Sequence, residues 1–188
     1  MLLATTKLEA VNIILSSIGA DPVNTLDADA DVDVANAVRM LDSTSRNIQR
    51  SGWAFNKGKY TFRPDNWTKK IRWDDTIISF EPDDGRQYAR RSGYLYDMEN
   101  QTEQFEKPVS GTATVAVEFE DLPDAFRNYI AIRAAVDYQM QYMADASVSQ
   151  DLQIQLAEAR ADITEYDIRT ANTNMLQLTS IANVLERT

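Results

Sequence analysis

The hydrophobic period of this 188-residue chain changes twice along its length, and that pair of changes limits the folds open to it. From Thr6 to Ser51 apolar residues recur at intervals of three and four. From Lys57 to Glu120 they alternate or gather in short β-branched and aromatic runs, and after Pro123 the three-and-four spacing returns. A period near 3.6 lines one face of a helix, whereas a period of two lines one face of a strand. The expected fold class is therefore α+β. It comprises a four-helix bundle (1–52 and 121–171) with an antiparallel β domain (53–120) inserted between helices two and three. An extended C-terminal arm (172–188) completes the chain.

The first helix has a readable start and stop. Thr6 and Glu9 form a capping box, and Leu8, Val11, Leu15 and Ile18 fall on one face. Gly19 and Pro22 end it. A second helix is expected from about Asp33 to Ser51, with Val34, Val38, Leu41, Ser45 and Ile48 in its stripe and Gly52 as terminator. Gly52-Trp53-Ala54-Phe55-Asn56 follows, and Trp53 and Phe55 are expected as core at the helix–sheet junction. Helix three should begin after Asp121-Leu122-Pro123, with Phe126, Tyr129, Ile130, Ile132, Val136, Met140 and Met143 giving a broad apolar surface. The last helix should span about Gln150 to Ala171, with its seam at Leu152, Leu156, Ala159, Ile163 and Tyr166.

The linker Asp27-Ala28-Asp29-Ala30-Asp31-Val32-Asp33 alternates carboxylates as a calcium loop does. It carries Val32 where such a loop turns on glycine and Val38 where it closes on glutamate, so helix capping by one Asp is the stronger reading. In the middle of the chain, strands are expected at Lys59–Arg63, Trp67–Trp73, Thr76–Phe80, Tyr94–Tyr96 and Thr112–Phe119.

Composition removes several chemistries. Without cysteine or histidine the chain has no disulfide, thiolate nucleophile, imidazole base or imidazole metal ligand. The six glycines are scattered and form no phosphate loop. No cofactor is expected. The N-terminal residues are too short an apolar run for a signal peptide, and no stretch approaches a membrane span, so a soluble protein is expected. The net charge of −10 argues against conventional nucleic-acid binding. Charge is also divided: residues 53–120 carry ten Lys/Arg and twelve Asp/Glu, and the remainder nine and seventeen.

Tyr94 and Tyr96, two apart, face the same side of a strand. The clusters Arg86, Arg90, Arg91 and Lys69, Lys70, Arg72 could meet an acidic partner, although solvated strand faces are the somewhat stronger reading. Leu176, Leu178, Ile181 and Val184 are apolar with no helix left to cover them, which suggests a docking arm.

Several blocks, taken in order, resemble the tail tubular protein A family, the head-to-tail adaptors of short-tailed bacteriophages. They are Ile18-Gly19, Pro22-Val23, Thr25-Leu26, Asp33–Ala37, Gly52–Asn56, Ser92–Asp97 and Leu122–Ile130. The resemblance implies a structural virion protein that forms a homo-oligomeric ring, expected to have twelve subunits. The ring would sit between the portal protein and a nozzle of the tail tubular protein B kind, with tail fibres nearby, and DNA would pass through without specific binding. Assembly is expected in the host bacterial cytoplasm, without a membrane partner. A negative lumen lets DNA slide, so Asp27, Asp29, Asp31, Glu158, Asp162 and Glu165 are expected to face the channel. Tyr94, Tyr96, Arg90, Arg91, Leu176, Leu178, Ile181 and Val184 are expected to meet partners. Two alternatives stand beside this: a tail-associated polysaccharide hydrolase using paired carboxylates, and a generic interaction module outside any virus.

Overall fold

The computed structural model describes residues 5–27, 31–142 and 150–185, with side chains described as far as Thr170. Among these are four helices and five strands, a mixed α+β protein. The chain divides into two compact units, one formed by residues 1–48 and 118–188 and the other by 49–117.

In the helical unit, α1 (Lys7–Ser16) starts as its capping box requires: the Thr6 hydroxyl accepts from Glu9 N–H at 3.2 Å and Glu9 accepts from Thr6 N–H at 2.8 Å. Val11 and Leu15 are buried, joined by Ala10 and Ile14. α2 (Val32–Gln49) is capped by Asp31, whose carboxylate accepts from Asp33 N–H at 2.8 Å. Its buried line, Val34, Ala37, Leu41, Thr44 and Ser45, keeps the expected face. α3 (Asp124–Tyr142) buries Phe126, Ile130, Ala131, Ile132, Ala134, Ala135, Val136 and Tyr138, a surface too broad for one neighbour. Met140, expected in that surface, is instead 59% exposed, because the buried arc turns away from it in the last turn; Met143 lies outside the described residues.

α4 (Gln150–Leu185) buries Ala159 and Ile163, and Tyr166 meets Phe126 of α3 edge-on at 5.8 Å. The helix was expected to stop near Ala171 and give way to an extended arm. Residues 172–185 instead continue it without a break. No glycine or proline falls in that stretch to stop it.

α1 is tied to α3 by polar contacts as well as by packing. Ser17 Oγ donates to Ala135 O at 3.2 Å, and Gln139 Nε2 donates to Ser17 O at 3.0 Å. Asn12 holds the following loop in a reciprocal pair, accepting from Val23 N–H at 2.8 Å and donating to Val23 O at 2.9 Å.

The second unit contains an antiparallel sheet of order β1-β5-β2 (Lys57–Phe62, Val109–Val115, Ile77–Pro82) and a hairpin, β3 (Tyr88–Arg91) with β4 (Tyr94–Asp97). Ile71, Leu95, Phe105 and Val109 form its core, flanked by Phe62, Trp73, Phe80 and Tyr88. β5 begins earlier and ends sooner than expected, and Phe119 belongs to a 3-10 turn at Phe119–Asp121. β3 was not anticipated, its four residues Tyr-Ala-Arg-Arg being too short and too polar to signal a strand. The expected strand at Trp67–Trp73 does not form. The Asp65 carboxylate turns the chain by accepting from Trp67 N–H at 3.0 Å and Thr68 N–H at 2.8 Å. Lys69 then adopts a φ of +58°, and only Arg72 bridges to a neighbour, Tyr94.

The entry to this unit is polar at its centre. Trp53 and Phe55, expected as junction core, are half-buried, whereas Gln49 and Asn56 are 2% and 4% exposed. Asn56 Oδ1 accepts from Trp53 N–H at 2.8 Å, and its Nδ2 donates to Gln49 O at 3.0 Å. Gly52 makes the turn possible: its φ is +74°, a conformation costly for residues with a Cβ.

Candidate interaction surface

The candidate surface of the second unit is the hairpin face built by β4. Along β4, Leu95 and Asp97 are buried, while Tyr94 and Tyr96 lie on the opposite, outer side. This alternation is the period of two acting on a half-buried strand. β3 pairs so that Arg91 is opposite Tyr94 and Ala89 opposite Tyr96. Arg91 therefore reaches diagonally across the hairpin and lays its guanidinium 3.8 Å from the centroid of the Tyr96 ring. On the other edge of β4, Trp73 N–H donates to Gly93 O and Leu95 N–H to Ile71 O, both at 2.9 Å, which brings Arg72 beside Tyr94.

A cavity of about 400 Å³ opens there, lined by Arg63, Asp65, Thr68, Lys70, Arg72 and Tyr94. The Lys70 ammonium stands 5.2 Å from the Tyr94 ring centroid and pairs with Glu103 at 3.0 Å. Asp65 is the one carboxylate lining the cavity, and it keeps its charge while accepting from the Trp67 and Thr68 amides and the Thr68 hydroxyl. Those bonds, the Thr68 amide first and then that of Trp67, hold its carboxyl below the ordinary carboxylate range. Arg63 has no ion-pair partner among the described residues. Trp67, in the turn that forms one wall, is 93% exposed.

A second cavity of about 460 Å³ lies under the loop after β4 and includes Asp84, Arg86, Tyr88 and Asp97. Its polar groups are largely spent on one another. Asp97 accepts from the Glu99 and Asn100 amides at 2.9 Å and from Asn100 Nδ2 at 2.8 Å, with Arg86 at 3.5 Å, and the Tyr88 hydroxyl donates to Asp84 at 2.6 Å. This arrangement shapes a loop.

Of the residues singled out from sequence, Tyr94, Tyr96 and Arg91 come together on one face. Arg90 does not join them; it pairs with Asp75. Asp27 and Asp31 are exposed, Asp31 as a helix cap, and Asp29 lies outside the described residues. Glu158, Asp162 and Glu165 are exposed along α4, with Glu165 paired to Arg169. Leu176, Leu178, Ile181 and Val184 fall within α4, beyond the last described side chain. Sequence reading did not mark Arg63 or Trp67 as surface-forming. Arg63 reads as the end of an alternating strand, and Trp67 as the start of the strand expected at Trp67–Trp73. Among the described residues no group of three or more carboxylates is placed to hold a metal ion, and no helix is long and apolar enough to cross a membrane.

Comparison with known proteins gives the class: a structural component of a bacteriophage tail. A family model described as tail tubular protein matches residues 8–173, and the chain belongs to that family. It is 27% identical over 128 residues to tail tubular protein A of Klebsiella phage KP34, covering 66% of this chain and 67% of that relative.

Proposed function

We propose that this protein is a ring-forming adaptor that joins the portal to the tail nozzle and lines the DNA channel. The observation that carries the reading is the division of charge. Residues 49–117 hold eleven Lys/Arg and ten Asp/Glu, a net of +1, whereas residues 1–48 and 118–188 hold eight and nineteen, a net of −11. A lumen built from the acidic unit repels phosphate and keeps DNA from sticking as it passes.

In this reading the four helices form a bundle that builds a ring of twelve subunits, with the β unit as an insertion between α2 and α3 that faces neighbours or the nozzle. Glu158, Asp162 and Glu165 on α4, with Asp27, Asp29 and Asp31, face the channel. Tyr94, Tyr96 and Arg91 meet neighbouring tail proteins. Leu176, Leu178, Ile181 and Val184 form the docking segment, as the end of a long helix and not as an extended arm. Portal, nozzle and tail fibre are the partners, and assembly takes place in the host cytoplasm. Negative-stain imaging of the pure protein with and without portal tests the proposal. Rings capping the portal, with α4 acids on the inner wall, are expected. Absence of any ring on the portal overturns it, as does a ring with those acids wholly on its outside.

A further inference from the structure

Resting on that adaptor reading, we infer that the cavity formed by Arg63, Lys70, Arg72 and Tyr94, together with the exposed Trp67 of the adjoining turn, is the socket for the next copy of this chain. It would take carboxylates of that copy's helical unit. Three observations converge on it. The cavity, of about 400 Å³, gathers three cations, Arg63, Lys70 and Arg72, against one lining carboxylate, Asp65, with Lys70 also paired to Glu103. Arg63 is without an ion-pair partner among the described residues, so a guanidinium fork is available to an incoming carboxylate. Trp67, in the turn between the lining residues Asp65 and Thr68, is 93% exposed, and the lining Tyr94 is 37% exposed. Tryptophan, tyrosine and arginine are the residues that dominate protein–protein hot spots, and an indole left in water is unfavourable unless something covers it.

The chemistry of the occupant follows from charge. A ring of identical copies presses bodies of net −11 side by side, and their repulsion needs a counter-charge at each contact. A head-to-tail ring contact repeats one donor surface against one different acceptor surface around the circle. The cationic socket and the acidic helical unit are such a pair, present once each in every copy. The unit that bears the socket is only +1 overall and its cations are local, which suits a short acidic protein segment better than a duplex that needs an extended basic track.

The test uses the full chain with portal protein, comparing wild type with R63E/R72E and with W67A. All three substitutions lie on the exposed or half-exposed surface, and thermal melts matching wild type establish that the variants fold. Wild type is expected to form portal-capping rings. The variants are expected to need about 30-fold more protein to form them, with the charge variant also losing most of the salt sensitivity of assembly. Rings from R63E/R72E and W67A at wild-type concentrations overturn the socket and leave the adaptor reading standing. Loss of duplex DNA binding in the variants with unchanged rings likewise overturns it. Failure of wild type to form rings overturns the adaptor reading and the socket together.

Discussion

Gln49 and Val117 hold each other in a two-way hydrogen-bonded pair: Gln49 Nε2 donates to Val117 O at 2.9 Å, and Val117 N–H donates to Gln49 Oε1 at 2.7 Å. They are the last helical residue of α2 and the end of the strand-rich segment, 68 positions apart. The side-chain amide acts as one rung of a ladder and closes the segment that begins at Gln49 and ends at Val117.

Gln49→Leu keeps the volume but leaves the Val117 amide and carbonyl without their partner, and should destabilise the 49–117 unit by about 1–3 kcal/mol. All three tryptophans, Trp53, Trp67 and Trp73, lie in that unit, so their fluorescence during urea unfolding reports it selectively. A midpoint equal to wild type would show that the pair contributes nothing.

Gly111→Ala should cost about 1–3 kcal/mol or more. Gly111 lies in the central strand β5, and a Cβ there would stand 2.4 Å from Glu81 O and 2.5 Å from the Phe80 ring. The carbonyl belongs to the paired strand and cannot move without breaking the register. Chemical denaturation checks the loss, and proteolysis should locate it to the sheet.

Asp97→Ala should loosen the loop after β4 and remove part of the acid dependence of stability. Burial pushes the Asp97 carboxyl up, but the Asn100 amide and side chain, the Glu99 amide and the Arg86 charge outweigh it and hold the group below its ordinary value of 3.8. A carboxyl lowered on folding stabilises above its unfolded pKa, and that contribution is lost as pH falls through the folded one. Urea midpoints measured from neutral pH downward should fall steeply below about pH 4 in wild type and less steeply in the variant.

Alkaline stability should reveal Tyr138. Its side chain is fully buried, with its hydroxyl 3.3 Å from Asp33 O and its ring 4.3 Å from that of Tyr142. Burial, and then the nearby charge of Asp33, push its phenol from 10.0 up to about 12. A group raised on folding stabilises fully below its unfolded pKa and ceases to do so as pH rises through the folded one, here between 10.0 and about 12. Tyrosinate absorbance should therefore show late ionisation coupled to unfolding. Tyr138→Phe should flatten the stability loss over that window; an unchanged slope would contradict the assignment.

Much of the helical unit is legible locally. Thr6 and Glu9 declare the start of α1 because a capping box is complete within four residues, and the stripes of α1 and α2 follow from helical period alone. Tyr94 and Tyr96 fall on a common face because alternation along a strand needs no knowledge of its neighbours; that this face is the outer one is set by the packing of Leu95 and Asp97. Trp67 illustrates the opposite case. Its size and apolarity argue for burial, but Asp65 captures two successive amides and turns the indole outward, an outcome set by a side chain competing with a strand ladder.

The order of periods and the capping signals establish that this chain makes helices, then strands, then helices, since each signal is confined to a few adjacent residues. The amide pairs of Asn12 with Val23 and Gln49 with Val117, the approach of Arg72 to Tyr94, and the gathering of Arg63 with Lys70 required the folded chain. Those contacts join residues whose separation in sequence carries no periodic trace. Polar side chains satisfy whichever backbone group packing brings within reach, so which atoms meet is settled by three-dimensional closure and not by the order of residues.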